Sequence, residues 1–212
     1  MWLILGGGEH TTQEYIIKSS IQKGIKTALE KQSDTISFVK AFANDTTLED
    51  NIADVVVCSQ SFHWMEPAET LAEINRILKK GGIFAAIDCD WPPVCNRQAE
   101  EAYNQLSEKV TELSVVCKEN DSYHWDKDKH LYNIRKSGYF SYCREIVFCN
   151  REKCSSKRFI ELAKSQGGLQ AILKIAPEKI EPYIKKFEDI ISNVLKDTFW
   201  LDFCYRMRIG IK

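Results

Sequence analysis

Two runs of apolar residues without alternation, Ala53–Cys58 and Ile83–Asp88, flank a stretch in which Leu71, Ile74, Ile77 and Leu78 recur at helical spacing. Unalternating runs of this length suit parallel strands buried on both faces, and a recurrence every three or four residues suits an amphipathic helix from Glu66 to Lys79. Lys79 and Lys80 followed by Gly81 predict the helix end, with cations complementing the dipole and glycine taking the closing turn. Strand, helix and strand at this spacing make a right-handed βαβ unit. Upstream, Gly24 to Gln32 is patterned as a helix and Ile36–Lys40 as a short strand, before the turn-prone Asn44-Asp45-Thr46-Thr47.

The character changes after Pro92-Pro93. Helices are predicted over Arg97 to Lys118, Asp126 to Lys136, Ser155 to Lys164, Leu169 to Ile175 and Glu178 to Lys196, with a strand over Tyr142 to Phe148. From Phe199 to Ile211 odd positions are mostly apolar and even ones mostly polar, the period of a long strand. Paired with Tyr142–Phe148 across the helical excursion, that strand would finish a mixed sheet.

Bulk properties narrow the function classes. A chain of 212 residues with 44% hydrophobic and 28% charged residues is an ordinary globular protein with enough length for a full core. A formal charge of -1 gives no footprint for nucleic acid, and no apolar run is long enough to cross a bilayer. The opening Met1-Trp2-Leu3-Ile4-Leu5 lacks the basic lead and long apolar core of a signal peptide, so a cytoplasmic location is expected. The eight cysteines contain no C-x-x-C pair, which argues against a disulfide framework, and the four histidines do not fall at metal-ligand spacings with them. No metal is therefore expected, and the sequence leaves the oligomeric state open.

The residues between the two strands carry a resemblance. "NIADVVVCSQSFHWMEPAETLAEINRILKKGGIFAAID" resembles the middle of a class I S-adenosylmethionine-dependent methyltransferase of the small-molecule type, methyltransferase type 11, and is similar to the trans-aconitate methyltransferase-like subgroup. "YFSYCREIVF", "ELAKSQGGLQAIL" and "FWLDFCYRMRIGIK" extend the likeness toward Lys212. The resemblance implies an α/β, Rossmann-like sheet, mainly parallel with an antiparallel C-terminal strand, carrying helical cap insertions at 97–137 and 155–196 on a single domain of residues 1–212. It implies S-adenosylmethionine as cofactor and a small-molecule methyl acceptor, with neither nucleic acid nor membrane as partner. Carried over residue by residue, Gly6 and Gly8 match the first two glycines of the cofactor loop, and Phe42 and Ala43 fall beside the adenine. Cys58, Ser59 and Gln60 flank the methionyl part, His63 and Trp64 face the junction of cofactor and substrate, and Trp91 roofs the substrate pocket. His63 is the candidate general base, because its ordinary pKa suits proton transfer near neutrality; the plainer reading makes it a loop histidine that shapes the pocket.

The front of the chain departs from the family pattern. His10 stands where the third glycine belongs, and "TTQEYIIKSSIQK" has no strand ending in the acid that binds the ribose hydroxyls. Residues 1–25 therefore read as an atypical start, and the fold as incomplete at its N-terminus. The alternative function is a truncated or degenerate methyltransferase fold without cofactor binding or catalysis, and a third reading is an interaction module whose exposed sheet edge pairs with another chain.

Overall fold

The structure is a computed structural model, and it describes residues 2–5, 39, 41–117, 125–196 and 198–212. The helix expected at Gly24–Gln32, the strand expected at Ile36–Lys40 apart from Val39, and Gly6 and Gly8 lie outside the described residues. The chain divides into two compact units, Met1–Asp88 with Ser122–Val147 and Arg206–Lys212, and Cys89–Asp121 with Phe148–Tyr205.

The described strands are β1 (Trp2–Leu5), β2 (Ala53–Ser59), β3 (Leu78–Cys89), β4 (Tyr142–Ser155) and β5 (Thr198–Ile211), in the sheet order β1-β2-β3-β5-β4. In the first unit β1 and β2 pair in parallel with Leu5 opposite Cys58, and β2 and β3 in parallel with Ser59 opposite Ile87. Gly81 at the start of β3 donates its amide to the Lys212 carbonyl at 2.9 Å, and the Lys212 amide donates to Gly82 at 3.0 Å, so the end of β5 lies against the start of β3 and runs antiparallel to it. This is the mixed α/β sheet the sequence predicts.

Helix α1 (Pro67–Ile77) joins β2 to β3. It begins where Glu66 accepts a hydrogen bond from the Glu69 amide at 2.6 Å and where Pro67, having no amide hydrogen of its own, leaves no donor unsatisfied. Leu71, Ile74 and Ile77 are fully buried with Val56, Cys58, Phe62 and Phe84 in the core of this unit. The helix end differs from the expectation: Leu78 is already extended and Lys79 and Lys80 belong to β3, while Gly81 takes a positive φ of 78° inside the strand. The cation complementing the helix end is instead Lys212, whose ammonium donates to the carbonyls of Asn75 at 2.6 Å and Leu78 at 2.7 Å.

The long helix α2 (Arg97–Val116) belongs to the second unit and the short helix α3 (His130–Lys136) to the first. In the second unit α2 packs with α4 (Ser156–Lys164), α5 (Gly167–Ile175) and α6 (Pro177–Val194) around Leu106, Phe159, Ile172, Ile180 and Phe187. The strand β4 extends seven residues past the expected Phe148, and most of its side chains are exposed, as befits an edge.

The terminal strand departs from its simple alternation. Leu201 and Phe203 are buried as the odd positions predict, but Arg208 and Gly210 are buried in the half of β5 that belongs to the first unit. A Cβ at Gly210 would come within 2.7 Å of the Phe140 ring and 3.1 Å of Ile134. Gly210→Ala is therefore expected to lower stability by about 1–3 kcal/mol through overpacking, measurable as a fall in the urea midpoint with an unchanged slope. No loss would mean that Phe140 swings aside at no cost.

Candidate functional site

The parallel strands β2 and β3 end side by side, and in open α/β sheets the carboxyl ends of such strands open onto the ligand crevice. Gln60 leaves β2 with a left-handed backbone, φ 52°, an uncommon conformation for a residue with a side chain. Its amide donates to the Ile87 carbonyl at 2.8 Å, so the β2–β3 ladder continues one residue past the strand. The chain then winds into a 3-10 turn, Phe62–Trp64, that buries Phe62 in the core and brings His63 back toward β3.

What His63 meets there is Asp88, with 3.7 Å between Nδ1 and the nearer carboxylate oxygen. Asp88 is 3% exposed and stands at the centre of a charged cluster. Arg208, 2% exposed, donates from Nη1 to Asp88 at 3.0 Å and from Nε to Glu145 at 2.7 Å. Lys127 holds its ammonium 3.2 Å from Asp88 and donates to Gln60 Oε1 at 3.1 Å. His130 Nε2 lies 3.6 Å from the other Asp88 oxygen. The segment carrying Lys127 and His130 is tied to the loop by the Trp125 amide, which donates to the His63 carbonyl at 2.7 Å.

His130 is completely buried, with Phe62 edge-on at 4.8 Å and no hydrogen bond to either ring nitrogen among the described residues. Burial pushes its pKa down to about 4, helped by the Arg208 and Lys127 charges and opposed by Asp88, so the ring is neutral near pH 7. In the unfolded chain the imidazole titrates near 6.5. Unfolding therefore takes up a proton as pH falls below 6.5, and the stability present in full above that pH is lost progressively down to about 4. The expected loss is of order 2–3 kcal/mol, since each tenfold difference in proton affinity between the folded and unfolded chain is worth about 1.4 kcal/mol. Urea unfolding at pH 7 and about 4.5 measures it, and His130→Leu should flatten the pH dependence. A pH dependence unchanged by that substitution would assign the loss to other groups. Glu73, held at about 2 by Arg76 and Thr46, adds a loss of the same sign at lower pH.

His63, Asp88 and His130 each present a possible metal-ligand atom, all within 4.8 Å of one another. A dication there would meet two protein cations already neutralising Asp88, so the donor set is that of an ion-pair network more than of a metal centre. The residues singled out from the sequence fall as follows. Ser59 and Gln60 are exposed at the strand end, while the Cys58 side chain is fully buried and burial pushes its thiol up to about 12, leaving it an inert apolar neighbour of Met65. Trp64 lies against His63 with ring centroids 5.1 Å apart. Phe42 is 66% exposed, and Ala43 packs on the core. Their loop is pinned to α1 by Glu73, which accepts hydrogen bonds from the Thr46 amide and hydroxyl. Trp91 belongs to the second unit, where it stacks on Tyr103 at 5.7 Å.

Sequence reasoning misses Asp88, Lys127, His130 and Arg208 as members of this cluster. The available signal is an acid in the apolar run "AAIDC" and a terminal strand able to pair beside it.

Comparison with known proteins gives the likeness its frame. A family model described as a methyltransferase domain matches residues 13–86. An uncharacterized methyltransferase of Schizosaccharomyces pombe is 26% identical over 159 residues, 74% of this chain and 57% of its own length. An uncharacterized methyltransferase of Mycobacterium tuberculosis is 40% identical over 40 residues, 19% of this chain and 16% of its own length. The chain thus spans little more than half of the curated relative it matches most broadly among these. A solved protein described as a type II methyltransferase, from Anaeromyxobacter dehalogenans, superposes with a TM-score of 0.58 at 16% identity, covering 84% of this chain and 72% of that one.

Proposed function

We propose that the chain is a class I methyltransferase, transferring a methyl group from S-adenosylmethionine to a small-molecule acceptor at the carboxyl ends of β2 and β3, a reading supported by the family model over residues 13–86 and by the fold. The observation that carries this reading is the meeting of His63 with Asp88 at 3.7 Å beside the paired strand ends. A buried acid opposite a histidine at a ligand crevice is an arrangement for handling a proton.

The exposed Ser59 and Gln60, with the turned backbone of Gln60, fit the methionyl part of the cofactor, and the exposed Phe42 ring offers a face for the adenine. When bound, S-adenosylmethionine supplies an electrophilic methyl group on sulfur. With Nδ1 lying 3.7 Å from the Asp88 carboxylate, His63 is the candidate to take the acceptor's proton, and the nearby carboxylate favours the imidazolium that results. Asp88 is a positioning residue, fixed by Arg208 and Lys127, and Trp64 packs against the imidazole. Gly6 and Gly8 remain the candidates for the cofactor loop.

Calorimetric titration of the full chain with S-adenosylmethionine and S-adenosylhomocysteine tests the reading. Micromolar binding, weakened by Gln60→Ala, is expected. A folded sample that binds neither up to millimolar concentration would leave the methyltransferase fold without a donor site and favour an interaction role.

A further inference from the structure

The second unit holds a pair of thiols that methyl transfer does not use. Cys149 on β4 and Cys204 on β5 place their sulfur atoms 3.0 Å apart on neighbouring strands. The cross-strand register around them is well marked. Arg151 clasps Asp202 through two hydrogen bonds of 2.7 and 2.8 Å, and Phe148 stacks on Tyr205 with ring centroids 5.2 Å apart and planes 16° off parallel. The same register sets Cys149 directly opposite Cys204.

The backbone hydrogen bonds identify the kind of site. Asp202 directs both its amide and its carbonyl to Val94, and the Cys204 carbonyl accepts from the Asp90 amide at 2.8 Å. Asp202 and Cys204 therefore turn their backbone groups away from β4, which makes each a member of a non-hydrogen-bonded pair with it. Opposed α-carbons at such sites are about 4.5 Å apart, inside the range of about 4.4–6.8 Å that a disulfide spans. Cys149 is exposed, so a reagent reaches it from solvent.

We propose that Cys149 and Cys204 form a reversible cross-strand disulfide by exchange with a low-molecular-weight disulfide such as oxidised glutathione. The Cys149 thiolate attacks one sulfur of the reagent, forming a mixed disulfide and releasing one thiolate. Cys204 gives its proton to solvent and attacks the Cys149 sulfur, which closes the bond and releases the second thiolate. Two protein thiols are oxidised, and one external disulfide is reduced to two thiols. The order of attack follows from access: Cys149 is exposed to the reagent while Cys204 is half-buried, so Cys204 is the resolving partner. This is a redox-responsive modification and not a disulfide framework of the kind the sequence argues against.

The bond closes a loop that contains α4, α5 and α6, so it braces the helical excursion at its base. A closed loop of this size restricts the unfolded chain, and oxidation should raise the thermal midpoint by several degrees. The experiment incubates the reduced full chain with oxidised and reduced glutathione in graded ratios and reads intact mass, peptide maps and thermal unfolding. The expected result is loss of two hydrogens, a cross-linked peptide joining residues 149 and 204, a raised midpoint, and reversal by dithiothreitol. Cys149→Ser, an exposed substitution that leaves the core untouched, should abolish the cross-link and the rise in midpoint. A stable glutathionyl adduct on Cys149, a cross-link through other cysteines, or unreacted thiols would each overturn the proposal.

Discussion

Replacing Arg208 with alanine is expected to lower stability by about 3–5 kcal/mol, because it strands a buried carboxylate. Arg208 bridges Asp88 and Glu145 with hydrogen bonds of 3.0 and 2.7 Å, and Arg208 and Asp88 are both sealed from solvent. The loss falls toward the lower end of that range, since Lys127 still stands 3.2 Å from Asp88 and Glu145 is partly exposed. Arg208→Lys should lose roughly half as much, as one ammonium does not span two carboxylates the way a planar guanidinium does. Combining Asp88→Asn with Arg208→Met should recover much of the loss, since removing both charges leaves neither buried without its partner. Urea unfolding of the parent and these three variants checks the series. A loss under about 1 kcal/mol for Arg208→Ala would place the pair with solvated surface ion pairs and contradict its burial.

The second large effect is on rate. His63→Ala is expected to lower kcat about 10²–10⁴-fold with a hydroxyl or amine acceptor, while leaving S-adenosylmethionine affinity within a few-fold of the unsubstituted protein. The split follows from the role proposed for the ring, which takes a proton and does not hold the donor. Asp88→Asn should move the pH–rate profile as well as lower the rate, because the amide no longer stabilises the imidazolium. Activity insensitive to His63→Ala with such an acceptor would reduce His63 to a pocket-shaping residue. A carboxylate acceptor carries no proton to remove, and its methylation should fall less than about tenfold.

Much of the first unit is legible in the order of residues. The run Ala53–Cys58 and the stripe Leu71, Ile74, Ile77 specify β2, α1 and the parallel pairing with β3, since burial on both faces and burial on one stripe leave different periods in sequence. The helix boundary is the place where the pattern misleads, because Lys79, Lys80 and Gly81 suit an exposed strand start as well as a helix end. His63 stands out by its chemistry alone, and the structure gives it an acid for company.

The rest belongs to tertiary structure. Asp88 lies 120 residues before Arg208 in sequence, and nothing in the alternation of Phe199–Ile211 distinguishes Arg208 from Arg206. Which polar side chain of β5 is buried depends on how β3, β5 and β4 are ordered in the sheet, and strand order is a long-range outcome that local periodicity does not encode. The same holds for His130, which reads as one more residue of a short helix until its neighbours seal it. By itself the sequence determined the βαβ unit, a resemblance to the methyltransferase family and the loop where chemistry is expected. Only folding decided which distant charges meet there, because a buried ion pair is set by the packing that excludes water from both partners.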